Sequence, residues 1–220
     1  KTVKKIEGDV IVLDSSLKKT DRRTLYTKMV IKDALLELLA ANSFEKITVT
    51  ATCKQAEVSR ATFYLHFDDL TAVLDECLAD ALKIADEADG NPHTDMLKML
   101  QMITSGEFGT EMLQANDTLL PACQRVADLP KYRPIFLDSG LSDYIIKQMF
   151  QAEKERTVPI LMEYCHLPKV EAELLFAFVI YGAFSVNKSM GWNKDRKWYE
   201  IQGILIRFIL GGLDVLKKEI

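Results

Sequence analysis

Ser59, Arg60, Ala61 and Thr62 stand together in a short polar stretch, and their types suit hydrogen bonding rather than covalent chemistry. A guanidinium such as that of Arg60 can pair with guanine O6 and N7 or with a phosphate. The small neighbours Ser59 and Ala61 let a backbone approach base edges closely. Thr48 offers a hydroxyl to a phosphate, and Lys46 and Arg23 are further candidates for the same surface. No glycine-rich phosphate loop, metal-ligand pair or nucleophile–base motif accompanies them, so the expectation is a binding protein, not an enzyme, with no cofactor and no metal. His66 beside Asp68 and Asp69 is explained by the end of one helix and the start of another.

The elements that must position these residues lie in Ile47 to Phe67, ITVTATCKQAEVSRATFYLHF. Thr48 can accept from the free amides of a first helical turn. Val49, Thr52, Cys53 and Ala56 then share one face of a short helix. Glu57-Val58-Ser59 forms a turn, and Ser59 caps a second helix from Arg60 to about Phe67. Phe63 and Phe67, four apart, face inward with Val58. Two short helices and a tight turn are the layout of a helix-turn-helix, which places its second helix in the major groove of DNA. A preceding helix, capped by Asp21 or Thr20, carries the stripe Val30, Ile31, Ala34, Leu35, Leu38 and Leu39. A following one, after Asp68-Asp69, carries Val73, Leu74, Cys77, Leu78, Ala81 and Leu82 and ends at the turn cluster Asp89-Gly90-Asn91-Pro92.

The charge distribution agrees with this placement. The net charge of −4 conceals nine Lys/Arg against five acids in residues 15–67, and sixteen against twenty-four in residues 68–220. A basic front and an acidic rear fit a polyanion-binding head on a body that does not touch DNA. The four cysteines are widely spaced and form no CxxC pair. They read as reduced, buried thiols of a cytoplasmic protein. No apolar run reaches the roughly 18 residues needed to span a bilayer, and the N-terminus has no secretion-signal pattern, so no membrane is expected.

The remaining chain also reads as helical: Met96 to about Ser105, Glu111 to Asp128 with Leu129-Pro130 and Arg133-Pro134 as its stop, Ser142 towards His166 with a bend or break at Pro159, Pro168 to about Met190, and Arg196 to about Lys217. The expected fold is all-α. Residues 1–20 form a flexible arm, 21–67 a DNA-binding head, 68–89 a connecting helix, and 90–220 a ligand-binding and dimerisation bundle.

Arg22 to Leu82 resembles the tetracycline-repressor (TetR) family of bacterial transcription regulators. The resemblance is carried by Ala34-Leu35-Leu36, Phe44, Ile47-Thr48-Val49, Ala56, Val58-Ser59, Thr62-Phe63-Tyr64 and His66-Phe67. It implies a homodimer that binds a double-stranded palindromic operator and is released by a small-molecule effector. It also implies that Tyr64 and His66 meet phosphates. Two departures stand out. Glu57 occupies a turn position where the family commonly has glycine. Asp68-Asp69-Leu70 replaces a segment that tends to carry a lysine. Salt-sensitive, somewhat weakened DNA binding is the expected consequence.

In the body, Met99, Met102, Phe108, Met112, Phe136, Met149, Met162, Tyr164, Phe178 and Tyr181 are candidate pocket residues, a lining for a hydrophobic compound. Phe176, Val179, Phe184, Ile204, Phe208 and Ile209 are candidates for the dimer interface, because the last two helices are apolar on more than one face. The alternative reading is an activator or adaptor that keeps the head fold and works through a protein partner.

Overall fold

The computed structural model describes residues 19–87, 110–116 and 120–218; the N-terminal arm, the helix expected at 96–105, and Met99, Met102 and Phe108 lie outside them. The described residues contain no strand and ten α-helices: α1 (Lys19–Leu39), α2 (Val49–Gln55), α3 (Arg60–Tyr64), α4 (Leu70–Glu87), α5 (Thr110–Ala115), α6 (Ala122–Ala127), α7 (Arg133–Leu137), α8 (Ser142–Cys165), α9 (Lys169–Ser189) and α10 (Arg196–Lys218). The fold is all-α, with a helix-turn-helix head and a helical body.

The head forms because three apolar stripes converge. Ile31, Leu35 and Leu39 of α1 meet Cys53 of α2, Phe63 and Phe67 at the end of α3, and Val73, Leu74 and Cys77 of α4 in one buried cluster. That cluster runs on into the body through Val126, Ile135, Ile145, Phe184 and Trp192, so head and body share a core. Ion pairs tie α4 to α1: Lys28 to Glu76 at 2.6 Å, and Lys32 to Asp80.

Further bonds fasten the head to the body. Asp138 accepts from the Phe44 amide at 2.6 Å, Lys131 pairs with Asp33 at 2.7 Å, and Asp75 accepts from Tyr144 and Gln148. Burial and the bond to Asp75 raise the Tyr144 hydroxyl pKa above its usual range.

The helix boundaries correct the sequence reading in four places. The helix expected over Glu111 to Asp128 is two helices, because Pro121 sits at the N-cap of α6 and has no amide to continue a helix through it. Conversely, α8 passes through Pro159 unbroken; Pro159 and Glu155, whose carbonyl loses its intrahelical donor, both face solvent. The pair Arg133-Pro134, taken as a stop, starts α7, since proline is favourable in a first turn. Finally, α3 ends at Tyr64 rather than near Phe67, its last turn tightened by a bond from the His66 amide to the Phe63 carbonyl.

By length and composition α9 is also apolar enough to cross a membrane, although charges at its ends interrupt the run in sequence. Here it lies along α8, burying Ala172, Phe176, Phe184 and Asn187.

All four cysteines are free and buried. Burial pushes the Cys77 thiol pKa up to about 12 and that of Cys123 to about 11, far from the thiolate form that reacts. A thiol reagent such as 5,5′-dithiobis(2-nitrobenzoate) is therefore expected to label none of them within minutes in the native protein, and all four in denaturant. Rapid native labelling would contradict this packing.

Candidate functional site

The second helix of the motif is held at both ends. Thr48 caps α2 by accepting from the Ala51 amide at 3.1 Å. Ser59 caps α3 by accepting from the Thr62 amide at 3.0 Å, and its hydroxyl also bonds the Thr62 hydroxyl at 2.8 Å. Phe63 is wholly buried and Phe67 nearly so, which pins α3 to the core. Arg60, Ala61 and Tyr64 consequently face solvent, with Thr62 and His66 half-buried at the edge. The Arg60 guanidinium lies 5.9 Å from the Tyr64 ring centroid, a cation–π contact that holds both side chains on the outer face.

Of the other candidates, Lys46, Thr48 and Arg23 are exposed. Lys28 and Lys32, by contrast, are engaged by α4 carboxylates and are not on offer to a polyanion. The structure adds Lys54 to the exposed surface near α3. Leu65, which the inward-facing Phe63 and Phe67 leave to the groove or the domain surface, is 78% exposed, a large apolar side chain at the end of this helix.

Both departures are visible in the geometry. Glu57 adopts the left-handed conformation, φ 54°, which costs a residue with a Cβ about 1–2 kcal/mol. Glu57→Gly is expected to stabilise the fold by about 1 kcal/mol, since part of the strain relief is offset by the flexibility of glycine in the unfolded chain. A urea titration reads this as a higher midpoint at unchanged slope; a lower midpoint would contradict it. At the start of α4, the Asp69 carboxylate accepts from the Ala72 amide at 2.8 Å. It caps the helix with negative charge where a lysine would attract phosphate.

In the body, a cavity of about 380 Å³ opens between α6, α8, α9 and α10. Its wall is mainly apolar, including Met149, Ile160, Phe176, Val179, Ile206 and Leu210, with Arg125, Glu153, Arg156 and Gln202 as polar members. Gln202 is held by a buried network: its amide and the Trp198 indole each donate to Asn187 Oδ1 at 2.8 Å, and Asn187 donates to Cys123 Sγ at 3.3 Å. The polar members were missed in the sequence; the only hints were the i,i+3 pair Glu153–Arg156 and a glutamine inside the apolar stripe of α10.

Among the candidate pocket residues described, Met149 and Phe178 line this cavity. Phe136 does not, and this corrects the expectation: it packs in the core against Trp192 and Phe184, with ring centroids at 5.1 and 6.3 Å. Met162 edges a separate shallow groove by Pro159 and His166, and Met112 packs against a separate buried cluster in the body that includes Leu113, Leu161, Trp198 and Leu210. Tyr164 lies beneath Lys217, whose ammonium is 4.6 Å from the ring centroid, and Tyr181 is on the outer surface.

Among the interface candidates, Ile204 and Phe208 are exposed, and Phe176, Val179, Phe208 and Ile209 line the cavity. Phe184 is a correction: it is buried against Phe136 and Trp192 and presents nothing to a partner.

The turn between α9 and α10 anchors this arrangement. Gly191 and Trp192 both adopt positive φ. Arg133 donates to the Gly191 and Trp192 carbonyls at 3.2 and 3.0 Å, and the Trp192 indole donates to the Phe136 carbonyl at 3.1 Å.

The fold and the exposed face of α3 define a helix-turn-helix protein. Residues 31–77 match the family model for bacterial regulatory proteins of the tetR family. The head thus belongs to the tetR family, and the chain is a DNA-binding transcription regulator. No curated protein matches the chain. Among solved structures, the TetR family repressor AlkX from Dietzia sp. strain DQ12-45-1b, implicated in biodegradation of n-alkanes, is similar at 18% identity with a TM-score of 0.34; the alignment covers 86% of this chain and 92% of that one.

Proposed function

We propose that the chain is a repressor that acts as a homodimer, binds a palindromic operator through two α3 helices, and leaves it when a small hydrophobic effector enters the body cavity. The observation that carries this reading is the outer face of α3, where Arg60, Ala61 and Tyr64 stand exposed on a helix locked from behind by Phe63 and Phe67. Thr48, Ser59, Thr62 and His66 border the same face and would meet the backbone, with Lys46 and Arg23 at its margins.

A second copy would dock on α9 and α10. Val170, Leu174, Phe178 and Tyr181 form an exposed stripe on α9, and Ile204, Phe208 and Val215 form one on α10. Gly182, Gly211 and Gly212 have open space where a side chain would be, room for a partner helix to approach closely. Phe178 and Phe208 belong both to these stripes and to the cavity wall, so a docked partner would close the cavity mouth. The domain division follows: residues 21–67 read DNA, α4 connects, and the rest of the body senses and dimerises.

Leu65 and Glu57, an apolar and an acidic group near α3, favour a second reading as an adaptor that meets a protein partner. In vitro transcription separates the two. On a template carrying the operator recovered by selection, the repressor reading expects a dose-dependent fall in transcript; an unchanged or raised transcript overturns it.

A further inference from the structure

Gln202 is 1% exposed, yet it belongs to the cavity wall. The bonds behind it fix which end of its amide faces the cavity. The Trp198 indole can only donate, and it donates to Asn187 at 2.8 Å, so the Asn187 atom at that point is the oxygen. The same oxygen takes the Gln202 bond at 2.8 Å, which obliges Gln202 to present its nitrogen there. The Asn187 nitrogen is spent on Cys123 Sγ at 3.3 Å. Turning either amide over would set donor against donor or acceptor against acceptor. Gln202 Oε1 is left as the end that opens on the cavity, and it accepts no hydrogen bond from any described residue.

That oxygen stands at one end of an apolar slot. Of the wall residues on α9 and α10, Val186 and Gln202 lie nearest the turn between the two helices, and Phe176, Val179, Ile206 and Ile209 continue away from it. Along α10, Gln202 to Ile209 spans about 10 Å. Water that enters the open slot can pair with Oε1. A molecule that fills the slot expels this water, and the oxygen then keeps a partner only if the molecule supplies a donor. A carboxylate or an ether only accepts, so neither can do so. An ammonium donates, but it would leave water for a mainly apolar wall whose carboxylate, Glu153, is already paired with Arg156.

We propose that the effector is an uncharged apolar molecule bearing a hydroxyl or N–H at one end, and that Gln202 Oε1 accepts its hydrogen bond. A site built to pair a donor rejects the analogue that lacks it, because the buried oxygen is then left alone. The network behind Gln202 sharpens this choice. Asn187 Oδ1, held by Trp198, keeps the Gln202 amide from turning to offer its nitrogen to an acceptor instead. The inference rests on the effector-responsive reading above and adds to it the ligand's polar group and the residue that recognises it.

The test uses the full-length protein and three probes in equilibrium dialysis at neutral pH: 2-naphthol, its methyl ether 2-methoxynaphthalene, and naphthalene. The ether keeps the oxygen and loses the donor; naphthalene loses both and adds no bulk. 2-Naphthol is expected to bind saturably, one per protomer, and at least about fivefold more tightly than either of the others. Gln202→Met keeps the length of the side chain, removes the acceptor, and leaves the Trp198–Asn187 bond in place. It is expected to reduce the preference for the naphthol at least about threefold. General damage to the cavity would weaken all three probes together and leave their ratio unchanged. Failure of 2-naphthol to bind, a preference below about fivefold in the wild type, or a smaller reduction in a Gln202→Met protein that keeps its circular-dichroism signal overturns the proposal. The wild-type comparison decides by itself if the variant does not fold. An operator assay separates this from failure of the parent reading: operator binding without probe preference sinks only the inference, whereas absence of operator binding sinks the repressor.

Discussion

Arg60→Ala is expected to weaken operator binding by about 2–6 kcal/mol, because a bidentate guanine contact is worth about 1–3 kcal/mol and a dimer loses it twice. That is roughly a 30-fold to 10⁴-fold fall in affinity. The fold should be untouched. The Arg60 side chain is exposed and contacts the Tyr64 ring, while the α3 cap is made by Ser59 and Thr62. Fluorescence anisotropy with the operator and its single-base variants measures the effect. If Arg60 reads a guanine, the variant also loses discrimination at one position in each half-site. If it holds a phosphate instead, affinity falls evenly over all sequences and the salt dependence becomes shallower. A loss of less than twofold would remove Arg60 from the interface.

Phe208→Asp should have an effect of similar size by another route. Phe208 is 67% exposed on the α10 stripe. A homodimeric interface there would bring two buried carboxylates together without partners, which costs several kcal/mol. Sedimentation equilibrium is expected to show the dimer dissociation constant raised by more than about 100-fold. Operator binding should fall along with it, since each head must then be recruited separately and the effective concentration of the second is lost, about 10²–10⁴ in affinity. Because the side chain is exposed, the protomer itself should keep its helical signal. A variant that remains dimeric at unchanged affinity would move the interface off α9 and α10.

Much of the head was legible in the sequence because its signals are local. Thr48 and Ser59 bond amides three residues on, and Phe63 and Phe67 share a face by helical spacing alone. The left-handed turn at Glu57 could be anticipated from the turn position, although a glutamate gives no hint of it by type. The body was legible only in outline. Phe136, Phe178, Phe184 and Phe208 are the same residue type on apolar helices, yet two fill the core and two face outward. What separates them is the packing of helices remote in sequence, including the Arg133 clamp on the α9–α10 turn, and periodicity carries no information about that. The cavity was hidden for the same reason. Arg125 and Gln202 meet at its wall from α6 and α10, and nothing in either segment alone announces the other. Prolines misled in both directions: Pro121 caps a new helix where continuation was expected, whereas α8 runs on through Pro159, which faces solvent together with Glu155.

The central claim is that two copies of α3 read DNA from one dimer. Selection of a random duplex pool on the purified protein at low salt, followed by sequencing of the bound fraction, tests it most directly. The account predicts an enriched palindrome whose half-site centres lie about one helical turn or slightly more apart, with enrichment lost in Arg60→Ala. Recovery of no enriched sequence by a folded dimer, or of an undivided single site, would contradict it.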